Sequence, residues 1–199
     1  MTTTVAALLS VVLLVAPAVQ AEDATLKAGV FDPPRTAPDF TLRGSDGADL
    51  TLSKHRGKVV ILFFGYTHCP TVCPTTLGTL AGAKKRLGAD GADVQVVYVT
   101  VDPEHDDVTR LHDYLANVDR TFLGATGTPE QLEAVRRDYG VSSSQLAAGL
   151  FNHSSSVYLI DRAGTLRALM PYGQTADSYV HDVRILLGQA GRGATDTGS

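Results

Sequence analysis

Two cysteines, Cys69 and Cys73, stand four residues apart in the run Phe64-Gly-Tyr-Thr-His-Cys-Pro-Thr-Val-Cys-Pro74, and the chain has no others. A cysteine thiolate binds soft metals, attacks disulfides and is open to oxidation. The pair therefore admits three chemistries. A structural disulfide is one, though closing so small a loop constrains the unfolded chain little. Thiol–disulfide exchange is the second, although its usual motif has two residues between the cysteines and this run has three. The third is a partial chelate for a soft ion such as Cu(I) or Zn, which needs at least one further ligand. His68 adjoins Cys69, and neighbouring side chains diverge, so it is expected to position the loop or meet a partner. Tyr66 and Pro70 are expected to shape the loop. His55, His105, His112 and His181 show no metal-ligand spacing and are expected to face solvent.

These residues need elements to hold them. Residues 59–64 form a continuous β-prone apolar run, which suits a strand buried on both faces. Residues 94–101 form a second such strand, ended by Asp102-Pro103. Phe63, Phe64, Val97 and Val99 are expected in the core. Residues 75–87 have helical spacing through Leu77, Leu80, Ala81 and Leu87. The cysteine run thus follows the C-terminal end of a buried strand, the edge where open α/β sheets bind ligands. Pro74 disfavours helical geometry in the residue before it, so the helix is expected to start at Pro74 with Cys73 near its N-cap. The positive end of a helix would there favour a thiolate. Asp102 should approach the same edge, where it can cap the turn toward Val108.

Further along, residues 108–118 read as a helix, and Thr128, Pro129 and Gln131 read as a capping box opening another that stops at Gly140. Residues 154–160 and 165–170 flank a hairpin turn, and residues 176–187 form a last helix. Residues 40–43 and 50–52 read as an N-terminal β-hairpin. The order predicts an α/β sandwich: a mixed sheet flanked by helices, with two parallel central strands and an antiparallel hairpin at one side. The expected organisation is a leader over 22–36, one domain over 37–188 and a flexible tail over 189–199.

The chain has 199 residues, of which 44% are hydrophobic and 19% charged, enough to bury a sizeable core. With 17 basic and 21 acidic residues the net charge is −4; tryptophan is absent and aromatics make up 7%. No basic stripe and few stacking rings argue against nucleic-acid binding. Two cysteines exclude a disulfide-rich scaffold and a four-cysteine zinc site. Residues 5–19 are mostly apolar and carry no charge, and the run is shorter than the roughly 20 residues of a membrane span. Val19-Gln20-Ala21 follows with small residues at a cleavage site, although no Lys or Arg precedes the run. Residues 1–21 are therefore read as a signal peptide or an N-terminal anchor, which places the domain outside the cytoplasm. No cysteine follows the run to carry a lipid.

The runs GYTHCPTVCP, APDFTL, LTLSKHRGKVVILFFGYTHCP, VYVTVDPE, TGTPEQL and NHSSSVYLIDRAG together resemble the Sco (SenC/PrrC) family of copper chaperones, over about residues 37–187. The resemblance implies a thioredoxin-like fold. It implies copper, as Cu(I) or Cu(II), held by Cys69, Cys73 and His153, with Asp102 of the Asp-Pro element tuning the site. Thioredoxin-like oxidoreductases carry a cis-proline in the loop facing their cysteines. By the resemblance His153 stands in that place, and no proline occurs between Leu132 and Met170. An imidazole can be a ligand where a proline cannot. The function implied is delivery of copper to the copper A site of cytochrome c oxidase, or to a similar extracytoplasmic acceptor. The expected partners are that oxidase subunit and another copper chaperone as donor. The expected place is the periplasm or the outer face of the bacterial inner membrane, with membrane association through the N-terminus. The rival function is an extracytoplasmic thiol–disulfide reductase using Cys69 and Cys73 on the acceptor's cysteines. A third is a peroxidase with Cys69 as its reactive thiol.

Overall fold

The computed structural model describes residues 25–145 and 151–188. The expected signal or anchor (1–21) and tail (189–199) lie outside the described residues.

Strands β4 (Val59–Gly65) and β5 (Val94–Thr100) are buried along their whole length and run parallel, with Gly65 level with Thr100. Their β-branched and aromatic residues feed two cores at once, because alternate side chains leave opposite faces of a strand. Ile61, Phe63, Val96 and Tyr98 meet Leu77 and Leu80 of helix α1 (Val72–Leu87), Leu111 and Leu115 of α2 (Val108–Ala116), and Val180 and Val183 of α4 (Ala176–Leu186). Leu62, Phe64, Val97 and Val99 meet Leu132, Val135 and Tyr139 of α3 (Pro129–Tyr139) on the other face.

With β1 (Gly29–Thr36), β2 (Thr41–Gly44), β3 (Asp49–Thr51), β6 (Leu123–Thr126), β9 (Val157–Ile160) and β10 (Thr165–Met170), the sheet has eight strands in the order β1-β10-β9-β4-β5-β6-β2-β3. β2 and β3 form the expected N-terminal hairpin. β9 and β10 form the expected later hairpin, and β9 lies antiparallel to β4. The capping box also forms: Thr128 Oγ1 accepts from Gln131 N, Gln131 Oε1 accepts from Thr128 N, and Gly140 closes α3 in the left-handed region at φ +69°.

Three features depart from the sequence reading. β6 is a third parallel strand, paired with β5. Its four residues, Leu-Gly-Ala-Thr, are too short and small to carry a strand signature. Residues 29–36, read as leader, form edge strand β1 against β10, with an irregular register between Val30 and Arg35. Pro33 and Pro34 sit inside it; an edge strand tolerates proline because one side makes no ladder bonds. Finally, β9 begins at Val157 rather than 154, and β8 (Phe151–His153) pairs with β7 (Ser143–Gln145) in a separate two-stranded ribbon.

The topology decides what meets the cysteines. Val157 at the start of β9 is level with Phe63 near the end of β4. The ribbon that leads into β9 therefore emerges at the edge where the cysteine loop begins.

Candidate metal centre

Helix α1 starts at Val72, two residues earlier than expected, with Thr71 as an N-cap that makes no side-chain capping bond. Pro74 is accommodated because the first N–H groups of a helix have no intrahelical partner to lose. The shift changes which cysteine the helix start serves. Cys69, on the preceding loop, accepts from the backbone N–H of Cys73 at 3.4 Å. Its sulfur is partly exposed, whereas Cys73 is fully buried, and both thiols are free.

The two sulfurs are electrostatically unequal. The Cys73 thiol donates to the Cys69 sulfur and, with N–H groups of Cys73, Thr71 and Val72, holds Cys69 down at about 5 against the opposing effect of burial. Cys73 is pushed far above the usual thiol range, first because it is the donor in that pair and then by its own burial. Near neutral pH the pair carries one negative charge, on the accessible sulfur. The sequence reading placed the favoured thiolate at Cys73; the structure places it at Cys69, because the loop folds back over the helix start.

Tyr66 shapes the loop as expected. It is buried, its carbonyl accepts from Cys69 N at 3.3 Å, and its hydroxyl accepts from Phe151 N at 3.3 Å. The Tyr66 and Phe151 rings meet edge to face at 5.4 Å. Phe151 opens β8, and His153 ends it with its backbone opposite Ser143. The ribbon carrying His153 is thus tied to the cysteine loop through Tyr66. The His153 side chain lies outside the described residues. Among the described residues no three His, Cys, Asp or Glu side chains are grouped to hold a metal.

Asp102 lies just beyond β5 on the same edge, 2% exposed. Its carbonyl accepts from the N–H groups of His105 and Asp106, closing the turn toward α2. Its Oδ2 lies 2.9 Å from His105 Nδ1 and 3.5 Å from His68 Nε2. His68 also packs against Tyr66 at 4.7 Å and His105 at 5.3 Å. His68 therefore links the cysteine loop to the Asp102 turn. His105 is exposed, and the bond to the Asp102 carboxylate raises it above the usual histidine range. His112 is exposed beside Asp113, and His181 is partly exposed beside Asp182. His55 is half-buried rather than solvent-facing, and burial lowers it.

One residue of the site escaped the sequence reading. Asp106 is fully buried and accepts three bonds: from Thr67 N at 3.0 Å, Thr67 Oγ1 at 2.6 Å and Thr100 Oγ1 at 2.6 Å. Arg110 Nε donates to Thr67 Oγ1 at 3.0 Å. One carboxylate thereby clamps the cysteine loop to the end of β5. The available signal was two consecutive aspartates before α2, where only one can cap. Asp107 is the cap, accepting from Arg110 N at 2.7 Å.

Two outcomes are expected from this geometry. Alkylation of Cys69 by iodoacetamide should rise with pH to half its maximum near pH 5, and Cys73→Ala should move that midpoint upward by removing a donor. A midpoint in the ordinary thiol range of about 8 to 9 contradicts the assignment. Asp106→Ala should destabilise the fold by at least about 3 kcal/mol in urea denaturation, since charge-assisted bonds contribute about 1.5–3 kcal/mol each. A loss below about 1 kcal/mol would show that the clamp is not tight.

Residues 30–188 match the family model described as SCO1/SenC. The chain is 37% identical over 126 residues to "Protein SCO1 homolog 1, mitochondrial" of Arabidopsis thaliana, an alignment covering 61% of this chain and 38% of that one. It is 33% identical over 156 residues to "Protein SCO2 homolog, mitochondrial" of Mus musculus, covering 73% of this chain and 60% of the relative. The chain thus spans less than two thirds of either relative's length. A crystal structure of Arabidopsis thaliana ScoI with copper bound superimposes with a TM-score of 0.73 at 33% identity, covering 77% of this chain and 99% of that one. The thioredoxin-like sandwich read from the sequence is the architecture of the chain.

Proposed function

The chain belongs to the SCO1/SenC family, and on that premise we propose that it is an extracytoplasmic copper chaperone. Copper is its cargo, bound by Cys69, Cys73 and His153, and the acceptor is the copper A site of a cytochrome c oxidase subunit or a similar site. The observation that carries this reading is the unequal pair at the start of α1. One sulfur is anionic and accessible, and the other stands behind it in the core. An accessible thiolate can take a soft ion from a donor and present it to an acceptor's thiolates. The buried sulfur fixes the depth at which the ion stops. It must lose its proton when metal binds, so it stays a thiol until the ion arrives.

His153 is proposed as the third ligand. β8 brings its backbone to the cysteine edge through the Tyr66–Phe151 contact, and two sulfurs alone leave room for a nitrogen donor. Asp102 is proposed to tune the site through His68, and Asp106 to hold the loop at its working distance from β5. The proposed location is the periplasm or the outer face of the inner membrane, and the proposed donor is another copper chaperone. Among the described residues no helix is long and apolar enough to cross a membrane.

The same cysteines support a second reading. A low-pKa accessible sulfur with a buried partner is also what disulfide exchange requires. The two readings differ in what they ask of His153.

The reduced chain should bind one copper ion and the Cys69–Cys73 disulfide form none, by metal-resolved mass spectrometry; equal uptake by both forms removes the cysteines from the site. His153→Ala should abolish most Cu(II)–thiolate absorbance while the rate of reduction of a model disulfide stays within about twofold, because exchange depends on thiolate fraction and access. Retained Cu(II) absorbance in the variant would exclude His153 as a ligand. Lost exchange with intact copper binding would favour the reductase.

A further inference from the structure

Among the described residues, three buried hydroxyls behind Cys73 lack a well-formed hydrogen bond: Tyr98 on β5, Tyr114 on α2 and Thr76 on α1. An unpartnered buried hydroxyl is costly, so each needs a reason to be there. Tyr98 is the most demanding. Its residue is 0% exposed, and its ring packs on Phe63 at 5.6 Å and Tyr114 at 6.1 Å. A phenylalanine would fill that space without an idle oxygen.

Gly65 supplies the reason. It ends β4 one turn of loop before the cysteines, and its φ is unexceptional, so backbone strain does not select glycine here. Space does. A Cβ added at Gly65 would come within 3.0 Å of both the Tyr98 hydroxyl and the Cys73 sulfur. The two atoms converge on the one spot that the missing side chain leaves open. A neutral thiol is a weak acceptor, whereas a sulfur carrying charge is a strong one.

We infer that Tyr98 is a positioning residue of the metal centre: its hydroxyl donates to the Cys73 sulfur once that sulfur is metal-bound, and Gly65 is the clearance that lets the two meet. The inference rests on the metal-binding reading above and deepens it. In the free thiol state the hydroxyl faces a thiol sulfur, which accepts only weakly. On loading, the buried sulfur becomes a strong acceptor and the hydrogen bond from Tyr98 strengthens, which lowers the energy of its lone pairs and tightens the site. Hydrogen bonds to ligating atoms set affinity and spectrum in this way.

The test uses the full reduced chain with Tyr98→Phe and, beside it, Tyr114→Phe. In Tyr98→Phe the metal-free melting temperature should hold or rise, since an unpartnered hydroxyl is removed. The Cu(II)–thiolate charge-transfer band should move to longer wavelength, and copper affinity should fall about 10-fold or more. Tyr114→Phe should leave the band in place. An unmoved band and unchanged affinity in Tyr98→Phe overturn the inference, as does a band shift produced by Tyr114→Phe instead. Co(II) serves as a second probe of the same sulfurs. If the wild-type chain gives a thiolate band with Co(II) but not Cu(II), the copper reading fails, and the Co(II) band of Tyr98→Phe still decides the role of Tyr98. If neither ion gives a thiolate band in the wild type, both readings fall.

Discussion

The Cys69 sulfur rests on the backbone N–H of Cys73 at the first turn of α1, and the architecture of this edge follows from that contact. It requires a helix whose N-cap leaves its first donors open, and Thr71 makes no capping bond. It requires a loop short enough to fold back over the helix start, fixed at its other end by a strand that cannot slip. β4 meets that need because it is buried on both faces and is paired with β5 and β9 on its two sides. The result separates the two cysteines chemically. One sulfur is held as an accessible anion and the other as a buried thiol, although the sequence gives them nearly the same surroundings.

Around this contact, polar groups that are costly to bury are satisfied by one another. Asp106 collects the N–H and hydroxyl of Thr67 and the hydroxyl of Thr100, joining the loop to the strand beside it. Asp102 holds its own turn through its carbonyl and reaches His68 and His105 through its carboxylate. Tyr66 joins the loop to the ribbon that carries His153. The end of β5 with its turn, and the ribbon, are thus both fixed against the cysteine loop by named contacts. The proposed exchange of an ion gains from this: the proposed ligands need not search for their positions, while exposure at Cys69 leaves a way in.

Much of this edge was legible in the sequence. The apolar runs at 59–64 and 94–101 announced doubly buried strands, and the motif Thr128-Pro-Glu-Gln announced α3 to the residue. The cysteine motif announced the site. What was not legible depended on tertiary context. β6 is four small residues that become a strand only because β5 offers an open edge. β1 contains two prolines and becomes a strand only because an edge accepts them. The start of α1 was misplaced by two residues because the local rule about proline yields to the free donors of a first turn, and with it went the identity of the low-pKa cysteine. Asp106 stands beside the capping Asp107 and carries no local signature of its own. Its role appears only when Thr67 and Thr100, distant in sequence, are brought to it.

The central claim is that Cys69, Cys73 and His153 hold one copper ion together. X-ray absorption spectroscopy of the copper-loaded, reduced chain tests it most directly, because scattering from sulfur and from an imidazole nitrogen is distinct. The account predicts two sulfur neighbours and one imidazole nitrogen around a single copper, with the imidazole signature lost in His153→Ala. A copper environment of nitrogen and oxygen alone, or one sulfur neighbour only, would contradict it.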